Sequence, residues 1–309
     1  MNHQLLIAEF LATPWALMPE RLNAVTTVMG RWSRNLSASA DVQSGIDADR
    51  SVREARRQAA TAVSSGGIAV LPLYGVVTQR GNMVDDVSGP GSVSTQQFAS
   101  ALRQALADDT VSQILIDIDS PGGSVYGVSE LADEITHARS QKPVVAIANS
   151  LAASAAYWIG CSASEFYVSP GGEVGSIGVW QAHFDHSQAL AAEGVKPTLI
   201  SAGKFKVEGN PYAPLDDDAQ AFMQSRVDDH YASFTKAVAR GRGVPIAQVR
   251  EGMGQGRVLG AVEALAQSMV DGIASFDDVV KKMRRDAKGS AKPRASRLAQ
   301  AQRILSTSA

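Results

Sequence analysis

The sequence predicts an α/β protein with a mostly parallel sheet and flanking helices. Apolar runs without polar alternation recur at 67–77, 112–119 and 143–148, as expected of strands buried on both faces. Stretches of helical spacing, 95–107 and 125–140, lie between them. Such alternation builds parallel pairing through right-handed crossovers.

Taken in order, GIAVLPLYGVV (67–77) is apolar and β-branched, hence a strand. Gly81 to Ser94 is rich in Gly and Ser and reads as a loop; Thr95 to Ala107 is helical. SQILIDID (112–119) is a buried strand with late aspartates. SPGGS then makes a sharp turn, and Val125 to Ser140 a helix. PVVAIA (143–148) is a further strand, and NSLAASAAYWIGC (149–161) a turn leading into a helix. EFYVS and GSIGVW are short strands, Ser187 to Ala192 is helical, and PTLIS (197–201) is a strand. Asp216 to Arg240 forms a long helix, with two shorter helices near Pro245 and Gly260. No internal repeat is visible.

Ahead of this core, residues 1–64 read as a leader and linker. Leu5 to Leu11 and Pro19 to Met29 have the spacing of short amphipathic helices, and 37–64 is rich in Ser, Ala, Asp and Arg. The core domain runs from 65 to 280. Residues 281–309 are a basic tail in which Asp286 is the single acid. The plain reading of the tail is a solvated terminus; the functional one is an electrostatic handle for an acidic partner or nucleic acid.

Composition narrows the classes. Apolar residues make up 45% and charged residues 19%, enough for a large core, and the net charge of −2 gives no bias toward nucleic acid or membrane. The single cysteine, Cys161, excludes an internal disulfide framework and suits a reducing compartment. The N-terminal stretch is interrupted by Glu9 and Pro14 and lacks a basic n-region, so no secretory signal is expected. Nor does any apolar run reach membrane-spanning length. The expectation is a soluble, cytoplasmic protein. No P-loop, metal-ligand cluster or glycosidase-like carboxylate pair is present, so no metal or cofactor is expected.

Three turns carry candidate chemistry at the carboxyl ends of strands, where ligands bind in open α/β sheets, and a fourth segment adds a hydroxyl. In Asp119-Ser120-Pro121-Gly122-Gly123 the glycines let the backbone present N–H groups to a developing oxyanion; an ordinary strand-to-helix turn reads the same way. In Asn149 to Trp158, small residues surround Ser154 where a helix should begin, and the positive end of the helix dipole favours an alkoxide-like nucleophile. The amide of Ala155 would be a second oxyanion donor. An N-cap serine is the plain alternative, and Ser150 would serve equally well as a cap. Ser201 to Tyr212 is a loop with two lysines, Lys204 and Lys206. A lysine acts as a base only when neutral, which desolvation promotes. Surface charge is the plain reading, and periodicity does not choose between the two. Ser176, in GSIGV, is a hydroxyl able to orient a lysine amine, or a strand-edge serine.

Together these segments resemble the signal peptide peptidase A family of serine peptidases. The pattern there runs SPGG, AAS before an aromatic pair, GS(L/I)GV and a lysine-bearing loop, and the match extends from about Gly67 to Val280. Within that family the likeness is closer to capsid-maturation proteases of tailed phages of the lambda protein C type, in GIAVLP, GSIGV and K-V-(D/E)-G-N-P-Y. The resemblance implies a ClpP/crotonase fold and a serine endopeptidase with a Ser-Lys dyad. The nucleophile then falls on Ser154, the general base on Lys206 rather than Lys204, the oxyanion amides on Gly122 and Ala155, and the lysine-orienting hydroxyl on Ser176. It further implies a ring-like homo-oligomer whose subunits share sites, the Asp216–Arg240 helix being a candidate for contacts. Implied substrates are scaffold or capsid proteins in an immature phage head. One departure stands out: Ala155-Ala156 replaces the glycine that often follows the nucleophile, narrowing the site toward small substrate side chains.

Histidine is the rival base. His183 and His186 follow GSIGVW, whereas His3, His137 and His230 lie in the leader or on predicted helices away from the strand ends. Two other classes remain: a cytoplasmic, signal-peptide-degrading peptidase of the same family, and a crotonase-type acyl-CoA enzyme or catalytically silent assembly protein.

Overall fold

The computed structural model describes residues 13–18, 67–80 and 92–287. The helices expected at 5–11 and 19–29, the 37–64 linker and most of the basic tail lie outside them.

The main sheet is built on β5 (Gln113–Ser120), flanked in parallel by β2 (Ile68–Tyr74) and β7 (Val144–Ala153). The far edge of β7 is shared by two strands. Its first half pairs in parallel with β8 (Glu165–Val168), and its second half with β9 (Glu173–Gly175). β10 (Val258–Gly260) closes on β9 antiparallel, and β11 (Gly272–Ile273) on β8 in parallel. A second, four-stranded sheet has the order β1-β6-β3-β4, from Trp15–Leu17, Gly122–Ser124, Val76–Thr78 and Ser92–Ser94.

The apolar runs bury both faces, as their lack of alternation requires. Ile114, Ile116 and Ile118 face α1 (Thr95–Ala107), α2 (Val128–Ala138), α3 (Ala155–Gly160) and α5 (Asp217–Arg242) in the larger core. Leu115, Val145 and Ile147 face Val279, Val280 and Met283, on the helix over 276–287. That helix crosses the expected start of the basic tail and is anchored by Lys282, paired with Glu165 at 2.8 Å and Asp286 at 2.9 Å. The remaining helices are short: α4 (Ser187–Ala192), α6 (Ile246–Glu251) and α7 (Ala261–Ala266).

Helix ends follow their caps. Ser94 Oγ accepts from Gln97 N–H at the start of α1. α5 opens on Asp216, whose carboxylate accepts from Ala219 N–H at 2.8 Å, and closes on Gly243 at φ 65°. Its acids, Asp217 and Asp218, lie in the first turn and its bases, Arg240 and Arg242, in the last, as the helix dipole favours.

Five local expectations are corrected. GSIGVW (175–180) is not a strand: β9 ends at Gly175, residues 176–179 join no ladder, and Trp180 makes a single bridge to Trp15. SPGGS is not a free turn, because Gly122–Ser124 is a strand; a β-carbon on Gly123 would lie 1.9 Å from Val77 O, so glycine is there for close strand approach. The 143–148 strand runs on to Ala153, since β9 supplies a new pairing edge beyond Asn149. The end of the 81–94 loop, Ser92–Ser94, is a strand. PTLIS (197–201) forms no strand; it is solvent-exposed, and among the described residues no sheet edge meets it.

Candidate active site

The site forms where β7 ends. Ser154 follows β7 directly and precedes α3, with φ 55° and ψ −117°. A non-glycine residue held at positive φ is strained, and the surroundings must enforce it. They do so through the Ser154 N–H, which donates to Gly175 O at 2.7 Å, and through complete burial of Ala152, Ala153, Ala155 and Ala156. The N-cap reading fails on geometry. Ser154 is not extended, and its side chain makes no bond to the first turn of α3. Its Oγ instead donates weakly to Gly178 O at 3.4 Å. Ser150 is not a cap either; it lies within β7 and its hydroxyl donates to Asp119 Oδ1 at 2.5 Å.

Gly122 and Ala155 adjoin Ser154, and Ser176 follows the residue that binds its amide. At φ 94°, Gly122 is so close that an added β-carbon would meet Ser154 Cβ at 2.9 Å. Its N–H donates to Ser120 Oγ at 3.2 Å, a bond long enough to give way to a stronger acceptor. Ala155 is the first residue of α3, so its N–H has no carbonyl one turn back and is available to an anion. Ser176 follows Gly175, the residue that binds the Ser154 amide; it is 7% exposed, has φ 54° and donates its N–H to Arg257 O at 2.7 Å. Ser154 and Ser176 thus both hold positive φ without being glycine, which the sequence did not signal.

Beneath the serine the floor is apolar and rigid. Tyr157 OH donates to Met269 O at 3.0 Å, and Trp158 stacks on Phe234 of α5 with centroids 4.8 Å apart. Cys161, at the end of α3, is buried, and that burial pushes its thiol up to about 12, which makes it inert as a nucleophile.

No hydrogen bond joins Lys206 to Ser154 within the chain, and Lys206 is exposed. It lies on an arm whose base is held by His186 N–H donating to Pro211 O (2.8 Å) and by His183 Nε2 at 3.0 Å from Asn210 O. Residues 191–206 of this arm are exposed throughout, Lys206 included. Lys204 turns back over the Phe205 ring at 4.6 Å. The arm carries apolar side chains into solvent: Ile200 is 96% exposed, and Val195, Leu199 and Phe205 are also exposed. Histidine is not there either. His183 is occupied by Asn210, His230 packs edge-on to Tyr126, and among the described residues no titratable side chain bonds Ser154 Oγ. Nor, among the described residues, is there a cluster of side chains able to hold a metal.

Ser154 thus sits at a strained strand-to-helix junction, with Gly122 against its side chain and the first N–H of α3 beside it. Residues 136–290 match peptidase family S49, a span that includes Ser154, Ser176 and Lys206. Capsid assembly protease C of Escherichia phage lambda is 36% identical over 240 residues, covering 78% of this chain and 54% of the phage protein. Head-tail preconnector protein GP5 of Enterobacteria phage P21 is 38% identical over 180 residues, covering 58% and 36%. Protease 4 of Salmonella typhi is 31% identical over 208 residues, covering 67% and 33%. The chain therefore spans about half or less of the length of these relatives. The family match, together with a parallel sheet of the ClpP-like kind that ends on a strained serine, shows that this chain belongs to peptidase family S49.

Proposed function

We propose that the chain is a serine endopeptidase in which Ser154 is the nucleophile and Lys206, supplied by the arm of a neighbouring copy, is the general base. The observation that carries this reading is the strained Ser154 with the Ala155 amide beside it and Gly122 against its side chain. A base is missing among its own contacts, while the arm that bears Lys206 exposes Val195, Leu199, Ile200 and Phe205. An apolar arm of that kind is stable when covered by protein. A head-to-tail arrangement in which each arm reaches the next Ser154 would close into a ring.

Ser154 Oγ attacks the scissile carbonyl carbon as its proton passes to neutral Lys206 Nζ. The amides of Gly122 and Ala155 hold the oxyanion. Collapse of the tetrahedral intermediate breaks the C–N bond, and the lysine returns the proton to the leaving amine. Water then attacks the acyl-serine, giving a proton to Lys206; as the ester C–O bond breaks, the lysine returns that proton to Ser154 Oγ and the new acid is released. Ser176 orients the amine. The names of the lambda and P21 relatives favour capsid or scaffold proteins as substrates, within the host cytoplasm or an assembling head. Hydrolysis of labelled casein tests the nucleophile. Ser154→Ala should lower the rate at least about a thousandfold; a variant as fast as the parent rules Ser154 out.

A further inference from the structure

Residues 13–18 come from the stretch ahead of the core, yet they lie on the candidate site. Trp15–Leu17 pairs antiparallel with β6, with Trp15 opposite Ser124, Ala16 opposite Gly123 and Leu17 opposite Gly122. The ladder continues outward, as Val125 N–H donates to Pro14 O at 3.4 Å and Met18 N–H to Pro121 O at 3.2 Å. The other edge of the segment is also paired. Trp15 N–H donates to Trp180 O at 2.8 Å, Trp180 N–H to Trp15 O at 3.0 Å, and Trp180 Nε1 to Leu17 O at 2.9 Å. β6 leads away from Gly122, and Trp180 lies just beyond Gly178, whose carbonyl accepts from Ser154 Oγ. The segment therefore runs extended between the two walls of the site.

It also covers the nucleophile. The point where a β-carbon of Gly122 would sit is 2.2 Å from Ala16 O and 2.9 Å from Ser154 Cβ, so Ala16 O and the serine side chain crowd one spot. Ser154 is 1% exposed beneath it. Side chains sort by strand alternation. Trp15 and Leu17 pack with Val76 and Trp180 in a cluster of their own, whereas Ala16 points into the main core. A peptidase must receive its substrate as an extended strand at this position, with main-chain bonds for affinity and alternate side chains for selection.

We propose that Pro14–Met18 is an internal occupant of the peptide cleft, blocking Ser154 until it is displaced. This rests on the peptidase reading of the site. The cleft takes an extended apolar peptide with a small residue over the serine and a bulky apolar residue on either side, the pattern Trp-Ala-Leu. The narrow seat for Ala16 agrees with the space lost at Ala155-Ala156.

The test uses the full chain. A Trp15→Cys, Ser124→Cys pair sits at directly opposed positions that do not share ladder bonds, a spacing a disulfide can bridge. The native Cys161 is buried and does not interfere. The oxidised pair should react with a fluorophosphonate probe, and hydrolyse fluorescent casein, about tenfold more slowly than the same protein after reduction. Ala16→Pro, which deletes a ladder N–H, should label about tenfold faster than the parent. If locked, reduced and Ala16→Pro proteins all label and hydrolyse as the parent does, the occupant is refuted and the peptidase stands. If none of the four labels or hydrolyses, the peptidase reading fails and the occupant with it.

Discussion

Gly241→Ala sets two effects of opposite sign against each other. Gly241 is in the last turn of α5, and helix propensity alone gives alanine an advantage of about 1 kcal/mol. The structure opposes it: an added β-carbon would lie 2.1 Å from Cys161 O and 3.0 Å from Cys161 C. Those are backbone atoms at the end of the helix that Ser154 begins, and they cannot rotate away. Relief requires α5 to withdraw, which disturbs Phe234 and Val238, both fully buried, and the Trp158–Phe234 stack. Overpacking of this kind costs about 3 kcal/mol at the upper end of its usual range. The net loss is about 2 kcal/mol, or about 4–8 °C in Tm for a domain of this size. Thermal unfolding followed by Trp fluorescence measures it directly. An unchanged or higher Tm would refute the argument that backbone contact overrides propensity here.

Further outcomes follow from the same geometry. Asp271 accepts from both terminal guanidinium nitrogens of Arg242, at 2.8 and 2.9 Å, and from the Phe166 N–H at 2.6 Å. Burial raises its carboxyl, but the Arg242 and Phe166 bonds outweigh this and hold it below the usual carboxylate range. Its contribution is therefore complete above about pH 4 and lost as pH falls through the lowered folded value. Asp271→Asn should cost about 2 kcal/mol in urea unfolding at pH 7, after discounting for partial exposure, with the difference shrinking below about pH 4; a pH-independent difference would contradict it. Cys161 should resist a maleimide in the native state and react only on unfolding; rapid native labelling would contradict its burial. Tyr157→Phe removes a buried hydroxyl and leaves Met269 O without its donor, so it should destabilise by about 1–2 kcal/mol in the same unfolding assay; no change would count against that bond.

Much of this was legible in the residues. Thr95–Ala107 is bounded as its spacing predicts, because an N-cap serine and a run of amphipathic turns coincide there. The buried strands at 68–74, 113–120 and 144–148 announce themselves by unbroken apolar runs. Pairing was not legible. Asn149 and Ser150 look like a turn, yet the strand continues because Asp119 receives the Ser150 hydroxyl and β9 receives the backbone. PTLIS has strand composition but no edge to join. Trp15–Leu17 is too short to show a period, and its role comes wholly from β6 and Trp180. In the site, small residues around Ser154 marked a turn, but positive φ at Ser154 and Ser176 is imposed by tertiary bonds to Gly175 and Arg257. Lys206 was singled out by resemblance to a motif; in one copy of the chain its arm is exposed.

Mixing two inactive variants tests the proposed shared dyad most directly. Ser154→Ala and Lys206→Ala are each expected to hydrolyse no casein alone. Co-assembled at equal ratio, they should regain about a quarter of the parental rate, since one in four neighbouring pairs joins an intact serine to an intact lysine from the next copy. Parental activity in either variant alone, or no recovery in a mixture shown to co-assemble, would contradict the account.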